Sequence, residues 1–318
     1  MPTELPGKDK IRLVSDHLKP YIHRTPVLTS KLLNEMTGAE LFFKCENFQK
    51  TGSFKLRGAM NAVLQLSIAE KAKGVITHSS GNFAQALAYA AKCAGTKATI
   101  VMPEGVVPIK RDAVLGYGAE IVYSGNQPSD REAKCEEVQK NSGAVFIHPS
   151  NDINVITGHT SCAVELIEEA ELLDAVITPL GGGGLLSGIA LGFHNFSPGT
   201  LIYAGEPLNA SDGYESKKAG KIIPVKNPDT IADGLRTSLG DITFPVIRQF
   251  VNEIITVTEE EIVSTMKIVW ERMKIIIEPS SAVAFAALLK NINGFKNKKI
   301  GVIVSGGNVD LARLPFRN

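Results

Sequence analysis

The chain has 318 residues, 44% hydrophobic and 21% charged, with a formal net charge of +1. That balance belongs to a soluble globular protein with room for one large or two smaller domains, and it argues against a nucleic-acid platform. No uninterrupted apolar run is long enough to span a bilayer, and MPTELPGKDK at the amino terminus lacks the apolar core of a secretory signal.

In chain order, β-rich runs alternate with helical stretches. LFFKCE (41–46), GVITH (74–78), KATIVM (97–102), AEIVYS (119–124) and AVFIH (144–148) read as strands, as do DAVITPL (174–180), LIYAGE (201–206), EIITV (253–257) and KIGVIVS (299–305). Alanine-rich segments such as NFAQALAYAAKCAG, closed by Gly95, read as the helices between them. The alternation predicts an α/β architecture with open, mainly parallel sheets, and the continuous apolar runs predict strands covered by helices on both faces. Two strand–helix series stand out, one within 74–148 and one from about 174 onward, so a ligand cleft between two lobes is expected. Cys45, Cys93, Cys135 and Cys162 are scattered without a C-x-x-C pair, which fits reduced thiols in the cytoplasm. His17, His23, His78, His148 and His194 show no metal-ligand spacing and are expected to be structural.

The strongest local signal is DAVITPLGGGGLLSG, a strand running through Gly181, Gly182, Gly183 and Gly184 into a helix. Successive glycines let several backbone N–H groups turn toward one anion, and the helix adds its positive amino-terminal end. The tract matches neither G-x-G-x-x-G nor a P-loop, so dinucleotide binding and nucleotide hydrolysis lose ground to a phosphorylated ligand of another kind. Lys55, in TGSFKLRGA, is a surface charge, a phosphate ligand or a covalent nucleophile. A phosphate cradle together with a lysine nucleophile suggests a phosphorylated aldehyde such as pyridoxal 5'-phosphate. Ser79, Ser80 and Asn82 in THSSGNFAQ converge at a helix start and suit a carboxylate or a ring oxygen; the alternative is a plain N-cap. Ser305, delivered by VIVSGGNVD, suits a ring nitrogen, or else closes a glycine turn. Glu206 and Asp212 in AGEPLNASDG follow a strand and suit a hard cation, or else a solvated turn.

FFKCENFQKTGSFKLRGA, SSGNFAQALAYAA, GGGGLLSG, TIADGLR, RMKIIIEPS and VIVSGGNVD occur in this order over nearly the whole chain. As an ordered set they resemble the fold-type II pyridoxal-phosphate enzymes, the group of serine racemases and serine/threonine dehydratases. The resemblance implies a large domain of residues 1–73 and 149–318 with a smaller mobile domain, 74–148, inserted in it, and a homodimer. It implies that Lys55 carries the cofactor, that Phe54 packs near its ring and that Asn82 bonds the ring hydroxyl oxygen. Gly181 to Gly184 would hold the phosphate and Ser305 the pyridine nitrogen. It makes Lys55 and Ser80 the two acid–base groups of a serine racemase with accompanying dehydratase activity, Ser80 lying opposite the lysine. A dedicated dehydratase of serine, threonine or hydroxyaspartate and a weakly active cofactor-binding protein are the rival readings. Ser79, Ser80, Asn82, Arg131 and Thr237 match substrate positions. Glu206, the carbonyl of Ala210 and Asp212 match a site for Mg2+, Ca2+ or Mn2+. Lys50, Thr51, Gln85 and Lys274 match an activating ATP site. Two departures stand out: Phe83 where the family has histidine, which would remove a donor from the substrate pocket, and His159 in TGHTS, read as a contact near the cofactor or as a helix-start histidine.

Overall fold

The computed structural model describes residues 4–106 and 108–316. Among them ten strands form two sheets: β1 (Val27–Leu28), β2 (Glu40–Cys45), β3 (Val75–His78), β4 (Ala98–Pro103), β5 (Glu120–Ser124), β6 (Val145–Phe146), β7 (Ala175–Pro179), β8 (Leu201–Pro207), β9 (Glu253–Val257) and β10 (Lys299–Val304). The larger sheet has the order β1-β2-β10-β7-β8-β9 and the smaller one β5-β4-β3-β6. Every pairing is parallel except β1 with β2. The mainly parallel α/β class expected from the alternation is the observed one. β7 is buried along its whole length and β10 at all but its first residue, which is why both read as unbroken apolar runs.

Two differences from the expected strands have local causes. β1 is too short to leave a periodic signal; it exists because Val27 and Leu28 pair antiparallel with Lys44 and Phe43. β6 stops at Phe146 rather than running to residue 148. The chain turns there at His148–Pro149, and proline has no N–H to continue a ladder.

Helices cover the large sheet on both sides. One core contains Phe43, Met266 and Phe285, with the two phenylalanine rings edge-on at 5.3 Å; the other contains Ile189, Phe193 and Ile303. The helix Ile153–Glu169 is buried continuously from Val155 to Leu166 because it is packed between the helices Lys55–Leu64 and Gly184–Phe196. Glycines permit that closeness: a Cβ on Gly158 would stand 2.3 Å from the Arg57 carbonyl oxygen, and one on Gly188 would stand 2.6 Å from the His159 Cβ. Asp152 starts this helix by accepting the amides of Asn154 at 2.7 Å and Val155 at 3.1 Å. His159 therefore lies inside the helix, not at its start, which corrects the helix-start reading.

Beneath the first turn of the helix Lys55–Leu64 lies a dry ion cluster. Arg57, fully buried, donates Nε to Glu46 Oε2 at 2.7 Å and Nη1 to Glu165 Oε1 at 2.7 Å. Lys44, also fully buried, reaches Glu165 Oε2 at 2.7 Å. Burial alone would push the Glu165 carboxyl up, but Arg57 and Lys44 outweigh it and hold the group below its ordinary range. Two cations and two carboxylates balance, so losing one member strands the rest. Arg57→Met is expected to destabilise the protein by about 3–5 kcal/mol, read as a lowered denaturant midpoint, because two carboxylates would be left buried without their shared partner.

Candidate active site

Lys55 opens its helix directly after a segment tied to the end of β10: Ser53 bridges Gly306, and the Phe54 amide donates to the Ser305 carbonyl at 3.0 Å. The lysine amine donates to the Pro149 carbonyl at 2.7 Å and lies 5.0 Å from the centre of the Phe54 ring and 5.7 Å from that of Phe83. Burial pushes the amine down to about 8, while the Glu278 carboxylate pulls the other way. A desolvated lysine of this kind is a free-base nucleophile over a much wider pH range than a surface one.

The four glycines are all buried between β7 and the helix Gly184–Phe196. Gly183 adopts φ +81°, a left-handed conformation in which a side chain would be strained. A Cβ on Gly182 would come within 2.4 Å of Ser150 Oγ, and one on Gly181 within 2.9 Å of the Leu235 Cα. The backbone hydrogen bonds around the loop run from Leu180 to Gly205 and from Ser187 to Gly183. The amides of Gly181, Gly182 and Gly183 between them have no partner among the described residues, leaving a concave set of donors at a helix amino terminus.

A polar array joins the helix Asn82–Cys93 to the end of β10. Asn82 Nδ2 donates to Glu278 Oε1 at 2.9 Å and Oε2 at 3.1 Å, and Asn308 Nδ2 donates to Asn82 Oδ1 at 2.9 Å. Burial pushes Glu278 up to about 7, with Asp233 adding and the Asn82 amide opposing. Ser305 Oγ lies 3.0 Å from Ser281 Oγ, which also accepts the Gly306 amide at 2.7 Å. Glu278, Ser281, Pro149 and Ser150 were not singled out from sequence. Glu278 falls inside the RMKIIIEPS motif, but nothing in one chain says that its carboxylate turns toward Asn82.

The other expected residues are distributed as follows. Ser79 Oγ accepts the Gly81 amide at 3.3 Å, and Ser80 is partly exposed beside it. Thr237 lies against the phosphate cradle, its Oγ1 3.2 Å from where a Gly182 Cβ would stand. Arg131 is half-buried on the helix Pro128–Ser142, and its Nε is buried without a hydrogen-bond partner. Glu206 lies within β8 rather than after it, and accepts the amides of Gly213 and Tyr214 at 2.8 Å each. Asp212 Oδ2 accepts the Leu239 amide at 3.0 Å, while its Oδ1 is buried and unpartnered. Burial pushes Glu206 up to about 8 and Asp212 up to about 6. Ala210 is buried nearby on the short turn Leu208–Ala210. Thr51 and Gln85 are buried, Lys50 is half-buried, and Lys274 is exposed at the end of the helix Glu259–Met273. Phe83 is 2% exposed, in an apolar cluster with Leu56 and Val155. His159 is fully buried edge-on against the Phe54 ring at 4.8 Å, so it backs the residue beside the lysine.

A pyridoxal-phosphate dependent enzyme profile matches residues 18–306. The chain is 49% identical to a serine racemase of Arabidopsis thaliana over 96% of its own length and 93% of that protein's. It is 48% identical to a beta-hydroxyaspartate dehydratase of Paracoccus denitrificans, covering 98% and 99% of the two chains. The solved serine racemase of Dictyostelium discoideum superimposes with a TM-score of 0.90 at 48% identity, over 95% of this chain and 98% of that one.

The pocket fits pyridoxal phosphate on its own evidence. Unpartnered amides face a cradle with no room for a Cβ, and a lysine kept close to its free-base form stands by it. Gly181 to Gly184 would hold the phosphate, Lys55 the aldehyde carbon, Phe54 a ring face, Asn82 and Ser305 the polar edge of the ring. Gly182→Ala is expected to weaken cofactor affinity about tenfold or more, roughly 1.4 kcal/mol, in a titration of apo-protein. Cofactor attachment to the apo-protein, trapped with borohydride on the Lys55 peptide, is expected to accelerate about tenfold per pH unit and to level off above about 8, because only the unprotonated amine attacks. With its family pattern spanning residues 18–306 and a pocket that accepts the group, the chain belongs to the pyridoxal-phosphate dependent enzymes.

Proposed function

We propose that the chain interconverts L- and D-serine and, as a companion reaction, eliminates the hydroxyl of serine to yield pyruvate and ammonia. What supports this reading is a lysine amine pushed down to about 8 together with the hydroxyl-bearing segment Ser79–Ser80 at the end of β3. The cofactor, when bound, draws electrons from the substrate Cα and so acidifies its proton. Lys55 takes that proton on one side. Ser80 supplies a proton from the other side, which inverts the centre. If the β-hydroxyl instead takes up a proton and leaves as water, elimination results, and hydrolysis of the released enamine gives pyruvate and ammonia. Asn82 and Ser79 orient the substrate carboxylate, with Thr237 at the phosphate end. The serine racemase relatives support this reading.

A second reading, elimination from 3-hydroxyaspartate, is favoured by one specific feature. The half-buried Arg131 has an Nε without a partner, a suitable site for an additional substrate carboxylate. The Paracoccus relative carries that activity in its name.

The remaining parts of the proposal concern assembly and effectors. Glu206, the Ala210 carbonyl and Asp212 form a divalent-cation site, Mg2+ being the first candidate; two buried carboxylates, one with an orphaned oxygen, support it. Lys50, Thr51, Gln85 and Lys274 form an activating ATP site across a homodimer interface. Residues 74–148, which carry β3 to β6, move as a small domain against the rest, with the Lys110–Asp233 ion pair closing across the cleft at 2.5 Å. The four free cysteines fit a reducing, cytoplasmic setting. No helix among the described residues is long and apolar enough to cross a membrane.

Chiral analysis of the products tests the main reading. L-serine is expected to yield D-serine and pyruvate together, and Ser80→Ala is expected to lose racemisation by about a hundredfold or more while keeping bound cofactor and pyruvate formation. Pyruvate alone, or turnover of 3-hydroxyaspartate that greatly exceeds that of serine and collapses in Arg131→Ala, would move the assignment to a dehydratase. A cofactor-loaded protein silent with both substrates would sink both readings. Addition of Mg2+ is expected to raise the melting temperature of the protein and not of Glu206→Gln.

A further inference from the structure

The amine of Lys55 has its hydrogen bond from a segment far away in sequence, the Pro149 carbonyl. What shapes that segment is therefore part of the site. Pro149 lies in the turn 148–151, which carries the chain from β6 into the helix Ile153–Glu169. The turn is not closed by its own backbone. The His148 Nδ1 accepts two successive amides, Ser150 at 3.1 Å and Asn151 at 2.8 Å. The imidazole thus plays the part that an Asp or Asn oxygen plays in an Asx turn; Nδ1 is the same number of bonds from the backbone as Asn Oδ1. Two converging amides require that Nδ1 be bare and that the ring proton reside on Nε2.

The turn also touches the glycine cradle and the segment at 241–242. Ser150 crowds the phosphate cradle: its Oγ is 2.4 Å from where a Gly182 Cβ would stand and its carbonyl oxygen 2.9 Å from the corresponding point on Gly184. Asn151 donates Nδ2 to Asp241 at 2.7 Å and accepts the Ile242 amide at 3.0 Å. The His148 ring is braced edge-on by His78 from β3 at 6.0 Å and by Phe146 from β6 at 6.1 Å. Burial pushes His148 down to about 4; the facing His78 and Lys55 add to this and Asp241 opposes. The ring is thus neutral, and Nδ1 an acceptor, wherever the lysine works.

We infer that His148 is a positioning residue: through its Nδ1 it holds the 148–151 turn in the shape that presents the Pro149 carbonyl to the Lys55 amine and Ser150 to the glycine cradle. The inference concerns how the cofactor lysine is aimed, and it does not depend on which amino acid the enzyme turns over.

The test compares His148→Leu, His148→Asn and His148→Gln by the rate at which apo-protein attaches pyridoxal phosphate, trapped with borohydride on the Lys55 peptide across neutral pH. His148→Asn keeps an acceptor at the right reach; leucine has none, and glutamine carries its oxygen one bond too far. His148→Asn is expected to attach cofactor within about threefold of the parent rate and with the same pH midpoint, whereas the leucine and glutamine variants slow about tenfold or more and shift the midpoint; loss of the ring's packing alone would impair the asparagine variant as well. If leucine or glutamine variants fold and attach cofactor with the parent rate and midpoint, the inference is wrong. If the leucine variant does not fold, the asparagine variant decides: parent-like attachment upholds the role, and attachment slowed as much as in the glutamine variant overturns it.

Discussion

The pocket is organised around one demand: a lysine amine must be partly shielded from water without losing its aim. Removing solvent is what brings the Lys55 amine down to about 8, but an amine at the end of four methylenes is also a flexible group. The Pro149 carbonyl supplies direction, and the flanking Phe54 and Phe83 rings supply dryness. Both depend on neighbours that never meet a ligand. The helix start is pinned by Arg57 between Glu46 and Glu165, and the carbonyl is presented by a turn that a histidine ring closes. The ion cluster costs desolvation energy, so its value lies less in net stability than in fixing where the helix begins.

The two sheets divide the labour. The large one ends at the glycine cradle after β7 and at Ser305 after β10, while the small one ends at Ser79 and Ser80 after β3. Candidate groups for the cofactor would therefore come mostly from one layer and the candidate serines for the substrate from the other, consistent with ligands lying at the carboxyl ends of parallel strands. The two departures expected from the resemblance both border the lysine segment. Phe83 fills an apolar cluster with Leu56 and Val155, and His159 backs the Phe54 ring.

Much of this was legible in the chain. Parallel strands announce themselves as continuous apolar runs, and four glycines after one of them have few physical explanations. Lys55 was ambiguous alone and became interpretable only through its ordered companions. What stayed hidden was long-range and tertiary. β1 exists by pairing with β2. Glu278 turns toward Asn82 from the far end of the chain, and His148, read as merely structural, closes a turn under the lysine. His159 illustrates the same limit: a helix boundary moved back to Asp152 turns a helix-start residue into a core residue. Residue type and spacing reveal which chemistry is present, while the direction of a buried side chain is set by neighbours that are remote in sequence.

The glycine cradle has one more implication, for how such a protein can change over generations. Its donors are main-chain amides, present in every amino acid except proline, so loss of a side chain cannot abolish them; added bulk can, since a single methyl on Gly182 already collides with Ser150. The anchor thus depends on the space and backbone shape around the loop, including the Ser150 turn packed against it, rather than on any side chain of its own. A main-chain anchor would leave the side chains around it open to change without altering the donor set itself.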